Sequence, residues 1–385
     1  MKKILYIWKS PYPWDVRVEK FCKSLTEAKY QVHILARWGN EVHDSEVIDN
    51  VHIHRVGYLK HSIRSYPLPF NPTWNKAIKK AIEEIIPDLI IVREIMLAET
   101  AGKLAHEFKI PIILDMAENY PAAMRAWKKY NKNFISRFLV HKLRLPDKVE
   151  AKVVPLMDGI ITVCNEQKRR LNRVYKYDLD KIEIVHNTPL KRNFPQKINK
   201  EFGSIYTIGH HGYHTSEKSI KNFVTAFAEN FKNHENFRLE IAGDGDEIPE
   251  LMKIAKDCDN VIFHGNFQPQ NLVSIISNFD IGILPYQVND FNNYTIHNKI
   301  FDYFALGIPV IVSKAVPLKR IVKETHTGFV VDCDDSDAIV NFINSIPNKN
   351  WPACSKNARD AFMKQYRWRY DSIKLIDFCK SYLSE

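Results

Sequence analysis

Residues 294–313, from Tyr294 to Ser313, read YTIHNKIFDYFALGIPVIVS. At a helical period Thr295, Asn298, Lys299 and Asp302 fall at i, i+3, i+4 and i+7 on one polar face, with Ile300, Phe301 and Phe304 opposite. Gly307 suits the left-handed residue just past a helix end, and Pro309 stops continuation. Val310 to Val312 then reads as a short buried parallel strand. The spacing predicts loop, helix, tight turn and strand.

A polar helix face is ordinarily a solvated surface, and spacing alone favours that reading here. The residue types point elsewhere. Asp302 has the acceptor capacity to take two hydroxyl hydrogen bonds at once, as a ribose diol requires. Free backbone N–H groups at a helix start near Thr295 and Ile296 would suit a phosphate. The combination describes a nucleotide site.

The run HNKIFDYFALGIPVIVS resembles the donor-site segment of GT-B glycosyltransferases, in particular family 4 of the retaining enzymes. Asp302 stands at the second acid of that family's paired-glutamate motif, and Tyr294 at the first. The resemblance runs from Ile4 to about Leu375 and rests on the collinear order of its motifs.

A chain of 385 residues is too long for one ordinary core and suggests two or three domains. The six cysteines are scattered with no C-x-x-C pair, which suggests neither a zinc site nor a disulfide scaffold, and implies reduced thiols in a cytosol. The start, MKKILYIWKSPYP, has too short an apolar run for a signal peptide, and no window reaches the length of a membrane span. A cytoplasmic location is expected. The net charge of +10 fits nucleic acid, an anionic membrane surface or phosphorylated substrates equally, but no recognised RNA or DNA module accompanies it.

Along the chain, apolar strand-like runs alternate with amphipathic helical ones. Strands are expected at Lys3–Trp8, Val32–Ala36, Val51–Val56, Asp88–Val92, Ile110–Leu114, Ile160–Val163 and Ile182–Val185, with a helix at Val16–Ala28. A second series follows at Ile205–Ile208, Leu239–Ala242, Val261–Phe263, Ile281–Leu284, Val310–Val312 and Phe329–Val331. Such alternation predicts α/β sheets of parallel strands covered on both faces. The expected architecture is GT-B, two Rossmann-like domains facing across a central cleft: an acceptor domain over 1–190, a linker over 188–203 and a nucleotide-sugar donor domain over 204–366. The resemblance implies that a terminal helix, about 367–385, crosses back to the first domain.

The remaining motifs sit at strand ends. Gly212 to Lys218, GYHTSEK, precedes a helical run, and a glycine, a helix N-terminus and an ammonium together attract a pyrophosphate. The competing reading is an ordinary turn with a solvated lysine. By resemblance Lys218 is the phosphate-binding lysine, while Tyr213 occupies the place of the family's arginine. His210, His211, His214 and Lys299 are candidate substitutes for that cation. Gly243 and Gly245 close the next strand as AGDGDE, and Asn266 and Phe267 follow the Gly265 turn, where the family's residues border the base. In the first half Asp15 and Arg17 resemble an Asp-x-Arg-Val motif, the alternative being an Asp helix cap beside an exposed Arg. Asp115 to Glu118 resembles an Asp-x-His-Glu segment with Ala117 at the histidine, leaving Glu118 as a candidate for an acceptor hydroxyl. His186, in VHNTP, reads better as part of a polar turn.

The expected donor contacts are therefore Gly212, Tyr213, Gly243, Gly245, Asn266, Phe267, Tyr294, Thr295, Asn298 and Lys299, with Lys218, Asp302 and Glu118 at the chemistry and Asp15, Arg17 and Asp115 on the acceptor side. The resemblance implies a retaining, metal-independent hexosyltransferase with no cofactor, using a nucleotide diphosphate sugar, UDP-sugar foremost. Its acceptor would be a glycan or lipid-linked hydroxyl in cell-surface polysaccharide or glycoconjugate synthesis. No Asp-x-Asp triplet stands in a metal-binding context. Two rivals remain: a nucleotide-sugar 2-epimerase of the same fold, and a non-catalytic sugar-nucleotide-binding protein, the latter favoured by Tyr294, Tyr213 and Ala117. From Arg125 to Lys152, nine basic residues face two acids, an excess of +7. Phe134, Ile135, Phe138, Leu139 and Leu143 lie among them near helical spacing. That stretch either lies on the anionic inner face of the cell membrane or packs its apolar side into the first domain.

Overall fold

The computed structural model describes residues 1–13, 15–39, 43–57, 66–69, 71–194, 202–216 and 219–383. The chain divides into two units. The first comprises Met1–Arg125, Tyr130–Val185 and Asp371–Glu385, and the second Ala126–Lys129 and His186–Tyr370. Residues 188–194 and 202–203, the described parts of the expected linker, belong to the second unit.

The first unit is built on strands β1 (Lys3–Trp8), β2 (Gln31–Arg37), β3 (Ser45–Ile48), β4 (Val51–Val56), β5 (Leu89–Arg93), β6 (Ile112–Met116), β7 (Gly159–Thr162) and β8 (Ile182–Ile184). They form one sheet in the order β3-β4-β2-β1-β5-β6-β7-β8. Ile4, Leu5, Tyr6 and Ile7 have no exposed surface, as expected of a central parallel strand covered on both faces. The edge strand β3 is antiparallel to β4 and was not expected from the sequence. Its joint is the pair Asp49 and Asn50, both with positive φ, the conformation that a two-residue hairpin turn demands. Its four residues alternate between exposed and half-buried, so no apolar run announces it.

The second unit carries β9 (Tyr206–His211), β10 (Phe237–Ala242), β11 (Val261–Gly265), β12 (Ile281–Leu284), β13 (Val310–Val312) and β14 (Gly328–Val330). All are parallel, in the order β11-β10-β9-β12-β13-β14. Each sheet reverses its strand order once beside its first strand, at β1/β5 and at β9/β12. Such switch points open a crevice at the carboxyl ends of the strands.

The 294–313 stretch folds differently at its start from the spacing-based expectation. Asn292–Tyr294 is a single 3₁₀ turn, Thr295 is extended and buried, and the helix runs only from Lys299 to Leu306. The amides of Ile300 and Phe301 donate to His297 O and Asn298 O, so they are already engaged at the helix start. The expectation of a helix start near Thr295 and Ile296 is corrected, since the helix begins at Lys299. The end is as the spacing predicts: Gly307 takes φ +73° and its N–H closes on Phe304 O and Tyr303 O.

Two helices, Trp351–Lys364 and Trp368–Lys380, complete the chain. The Ser355 hydroxyl donates to Gly307 O at 2.6 Å, tying the first of them to the end of the 299–306 helix. Near the chain end, the Tyr382 hydroxyl donates to Asp158 O at 3.0 Å beside β7 in the first unit. All six cysteines are free and buried.

The core of the second unit leaves no room on the central strand. A Cβ on Gly209 would lie 2.1–2.4 Å from the ring atoms of Phe279, which is fully buried. Gly209→Ala should cost roughly 1–3 kcal/mol through overpacking. Urea unfolding is the measurement, and an unchanged midpoint would show that the Phe279 ring yields freely.

Candidate functional site

At the β9/β12 switch point, glycines bring strand ends closer than any side chain permits. Gly212 follows β9 with φ +108°, and its N–H donates to Ala242 O at 2.9 Å. Gly243, with φ +119°, ends β10 so near that a Cβ there would sit 2.0 Å from Gly212 O. A Cβ on Gly212 would in turn sit 2.6 Å from Lys299 Cε and 2.9 Å from Nζ. The lysine chain therefore lies directly over the bare glycine backbone. One turn along the same helix, Asp302 Oδ2 is 3.7 Å from His211 Nε2, and the His211 ring meets Tyr303 edge-on at 5.2 Å. His211, Gly212, Lys299 and Asp302 thus form one cluster drawn from a strand end and a helix start.

Three imidazoles line the cluster's inner side. His210 Nε2 is 3.0 Å from the Tyr286 hydroxyl, and His214 Nε2 donates to Ala242 O at 3.2 Å. Burial lowers the pKa of all three below the ordinary histidine value, and the neighbouring Lys299 adds to the effect at each. For His214 the value falls to about 4. The rings are neutral at pH 7, so the His211–Asp302 approach is no ion pair. The Nδ1 atoms of His210 and His214 and the Nε2 of His211 are buried without a hydrogen-bond partner.

The other expected donor contacts spread along this edge. Tyr213 is 64% exposed and so projects from the turn that Gly212 makes. Gly245 follows in the β10 loop, its N–H donating to the Asp244 carboxylate at 2.7 Å. The Gly243 N–H donates to Gly265 O at 2.8 Å, which brings the end of β11, and with it Asn266 and Phe267, to the same edge. Asn298 occupies the cap position of the 299–306 helix without making a side-chain cap, and Tyr294 closes the preceding turn. Lys218 lies outside the described residues.

In the first unit the carboxyl ends of β1, β5 and β6 are closed by charge. Asp15 caps the Val16–Glu27 helix, accepting from the amides of Arg17 and Val18 at 3.0 Å each. Arg17 turns inward. Its Nε and Nη2 grip Asp115 Oδ1 at 3.0 and 2.7 Å, and its Nη1 donates to Val185 O at 2.9 Å. Arg93 Nη1 and the Tyr6 hydroxyl donate to Asp115 Oδ2 at 2.8 and 3.0 Å. Arg17 is 2% exposed and Asp115 has no exposed surface. Burial pushes the Asp115 carboxyl up, but Arg17 and Arg93 outweigh it and hold the group below its ordinary value. Arg17 and Asp115, expected on the acceptor side, are buried and bonded to each other and to the strand ends. Glu118 is half-buried in the loop after β6, where Gln167 Nε2 donates to its carbonyl at 3.4 Å.

Two family models match this chain, Glycosyltransferase Family 4 over residues 15–188 and Glycosyl transferases group 1 over residues 204–348. It is a GT-B glycosyltransferase related to both families. Among solved structures it is similar to sucrose-phosphate synthase from Thermosynechococcus elongatus, with 17% identity, a TM-score of 0.77 and 99% of each chain covered. A glycosyltransferase from Rickettsia africae matches at 16% identity and a TM-score of 0.71, over 100% of this chain and 99% of that one. Anabaena HepE in complex with UDP matches at 12% identity and a TM-score of 0.69, over 99% and 100%. No curated protein matches the chain.

Sequence reasoning overlooked Tyr6 and Arg93 in this glycosyltransferase, since each sits within a strand run whose apolar neighbours hide it. Tyr286 and His297, whose rings lie 4.1 Å apart, were likewise overlooked. Asp115→Ala would strand two buried guanidinium groups, and losing one partner of a buried pair costs about 3–5 kcal/mol. Because the folded Asp115 pKa is depressed, its stabilisation is present above the unfolded value near ~4 and is lost as pH falls through the lower folded value. Urea midpoints of wild type and Asp115→Ala should therefore differ widely at pH 7 and converge in acid. A gap independent of pH would remove the carboxylate's charge from the account.

Proposed function

We propose that the protein is a retaining hexosyltransferase that moves a sugar from a nucleotide diphosphate sugar to a hydroxyl of a glycan or lipid-linked acceptor, without a metal, in cell-surface polysaccharide or glycoconjugate synthesis. The observation that carries this reading is the meeting of Lys299 with the bare backbone of Gly212 and of Asp302 with the neighbouring His211. Asp302 accepts from the ribose diol, while Lys299 and Lys218 hold the diphosphate, on which charge builds as the glycosidic bond breaks. UDP-sugar is the favoured donor, a choice supported by the UDP held in the similar HepE structure. Glu118 and Asp15 serve the acceptor, with Arg17 and Asp115 fixing the loops that carry them. Retention rests on the family resemblance and metal independence on the lack of a suitable Asp-x-Asp context.

Incubation with UDP-glucose, with and without a glycan acceptor, separates the readings. Transfer that requires acceptor, with the α-anomeric configuration kept in the product, supports this one. Epimerised sugar formed without acceptor supports the isomerase, and binding without either product supports a non-catalytic role. In calorimetric titrations Lys218→Ala should weaken UDP binding by about tenfold to over a hundredfold while sparing uridine. Asp302→Ala should weaken the ribonucleotide more than its 2′-deoxy form. Equal losses for the two would move Asp302 off the 2′-hydroxyl.

We further propose that the enzyme lies on the cytoplasmic face of the membrane through residues 125–152. Phe134 is 80% exposed and Ile135 71%, and Phe138, Leu139, Leu143 and Leu145 are exposed beside them. This exposure supports the membrane-facing reading over the packed one for these side chains. Lys132, Arg137, Lys142 and Lys148 are exposed around this apolar face. Among the described residues no helix is long and apolar enough to cross a membrane. Each basic residue near an anionic leaflet contributes about 1 kcal/mol, screened beyond roughly 8 Å at physiological salt. Co-sedimentation should show binding to phosphatidylserine vesicles but not to neutral ones, lost in high salt and reduced by changing Lys132, Lys142 and Lys148 to Glu. Equal binding to both vesicle types, or to neither, would favour a non-membrane acceptor.

A further inference from the structure

The three buried imidazoles at the end of β9 are an unusual lining for a switch point between parallel strands. His210 and His214 each spend one nitrogen inside the protein, on Tyr286 and on the Ala242 carbonyl, and their rings lie 4.8 Å apart. His211 differs. Its Nε2 is fully buried without a hydrogen-bond partner, yet it lies 3.7 Å from Asp302 Oδ2, beside the glycine turn over which Lys299 lies. A buried polar atom left without a partner is destabilising unless a ligand or water completes it. Its surroundings indicate what kind of ligand that is.

The groups facing His211 are Lys299 and Asp302 from the 299–306 helix, His214 from the turn after β9, and the Tyr303 ring. Lys299 and His214 both oppose a proton on this ring, as does its burial, while Asp302 is 3.7 Å away. A neutral diol would find its acceptor in Asp302 and leave that balance unchanged. An anion seated between Lys299 and His211 reverses it, since opposite charge within a few ångströms favours the charged form. The position the family resemblance gives to an arginine holds the exposed Tyr213, so the diphosphate lacks one cation there.

We propose that His211 donates a hydrogen bond from Nε2 to the diphosphate of the nucleotide sugar and takes up one proton from solvent as the donor binds. The proposal rests on the donor-site reading above. His211 then supplies on demand the charge that a fixed guanidinium would supply permanently. It is a specificity residue for the diphosphate and takes no part in binding the nucleoside.

UDP-glucose is the suitable probe, because its diphosphate diester does not itself titrate between pH 6 and 8. Calorimetric titrations of the full chain in two buffers of different ionisation enthalpy should show uptake approaching one proton per UDP-glucose bound, and affinity falling as pH rises through that range. His211→Gln, which keeps an N–H donor without a titrating ring, should abolish the uptake and flatten the pH profile. It should lower UDP-glucose affinity by about tenfold or more and leave uridine affinity unchanged. Proton uptake that survives His211→Gln, or equal losses for UDP-glucose and uridine, would overturn the proposal. Absence of uptake in the wild type would overturn it whether or not the variant folds. Should wild type bind none of UDP-, GDP-, ADP- and dTDP-glucose, the donor-site reading itself fails, and this proposal with it.

Discussion

The constraint on which the second unit depends is the approach of Gly243 to the Gly212 carbonyl, a contact that any Cβ would reduce to 2.0 Å. Parallel strands normally end in loops whose side chains hold neighbours apart. Here the ends of β9, β10 and β11 are joined by backbone hydrogen bonds instead, Gly212 to Ala242 and Gly243 to Gly265. Two consequences follow from that spacing. The backbone at Gly212 is stripped of side-chain cover, and the 299–306 helix can reach it with Lys299. A larger residue at either glycine would displace the loop before it touched any ligand.

The same topological position in the first unit has the opposite solution. There the carboxyl ends of β1, β5 and β6 converge on Asp115, which accepts from Arg17, Arg93 and Tyr6. Buried charges are costly in low dielectric unless their geometry is complete, and a carboxylate accepting from two guanidinium groups and a phenol is nearly complete. Such a network fixes the loops that its members belong to. In the second unit the buried polar groups are neutral imidazoles with nitrogens left over. The first unit's switch point is thus closed by a charged network, and the second unit's is lined by neutral rings.

Much of this was legible in the sequence because parallel strands covered on both faces write themselves as apolar runs. Val310 to Val312 and Ile281 to Leu284 were located to the residue. Antiparallel β3 was not, since a half-exposed edge carries no such run. The polar spacing of Thr295, Asn298, Lys299 and Asp302 fits a helix as well as it fits a turn followed by a shorter helix. Only the packing of Thr295 and His297 beneath the surface decides between them. Arg17 shows a different limit. A capping aspartate followed by an arginine at the second helical position reads as a solvated side chain, and nothing local reveals that Asp115, 98 residues away, draws it inward.

The 134–153 region departs from the amphipathic helix that its spacing promised, and the departure has a physical reading. Phe134–Arg137 passes into a five-residue π turn, Phe138–Lys142, and Arg144 then takes a left-handed conformation before Leu145–Val153 resumes the helix. Each interruption shifts the helical phase, so one continuous apolar stripe cannot face a single direction into a core. Instead Val140, Val149 and Val153 are buried, while the rings of Phe134 and Phe138 stack outside at 6.3 Å. Leaving such side chains in water forgoes about 1.5–3 kcal/mol apiece relative to full burial. Arg125 and Arg144 both bind Asp147, which removes them from any outward electrostatic role and leaves the lysines to supply it. The segment therefore divides its residues between anchoring inward and presenting apolar side chains and lysines outward, and the proposed membrane attachment rests on that outward face.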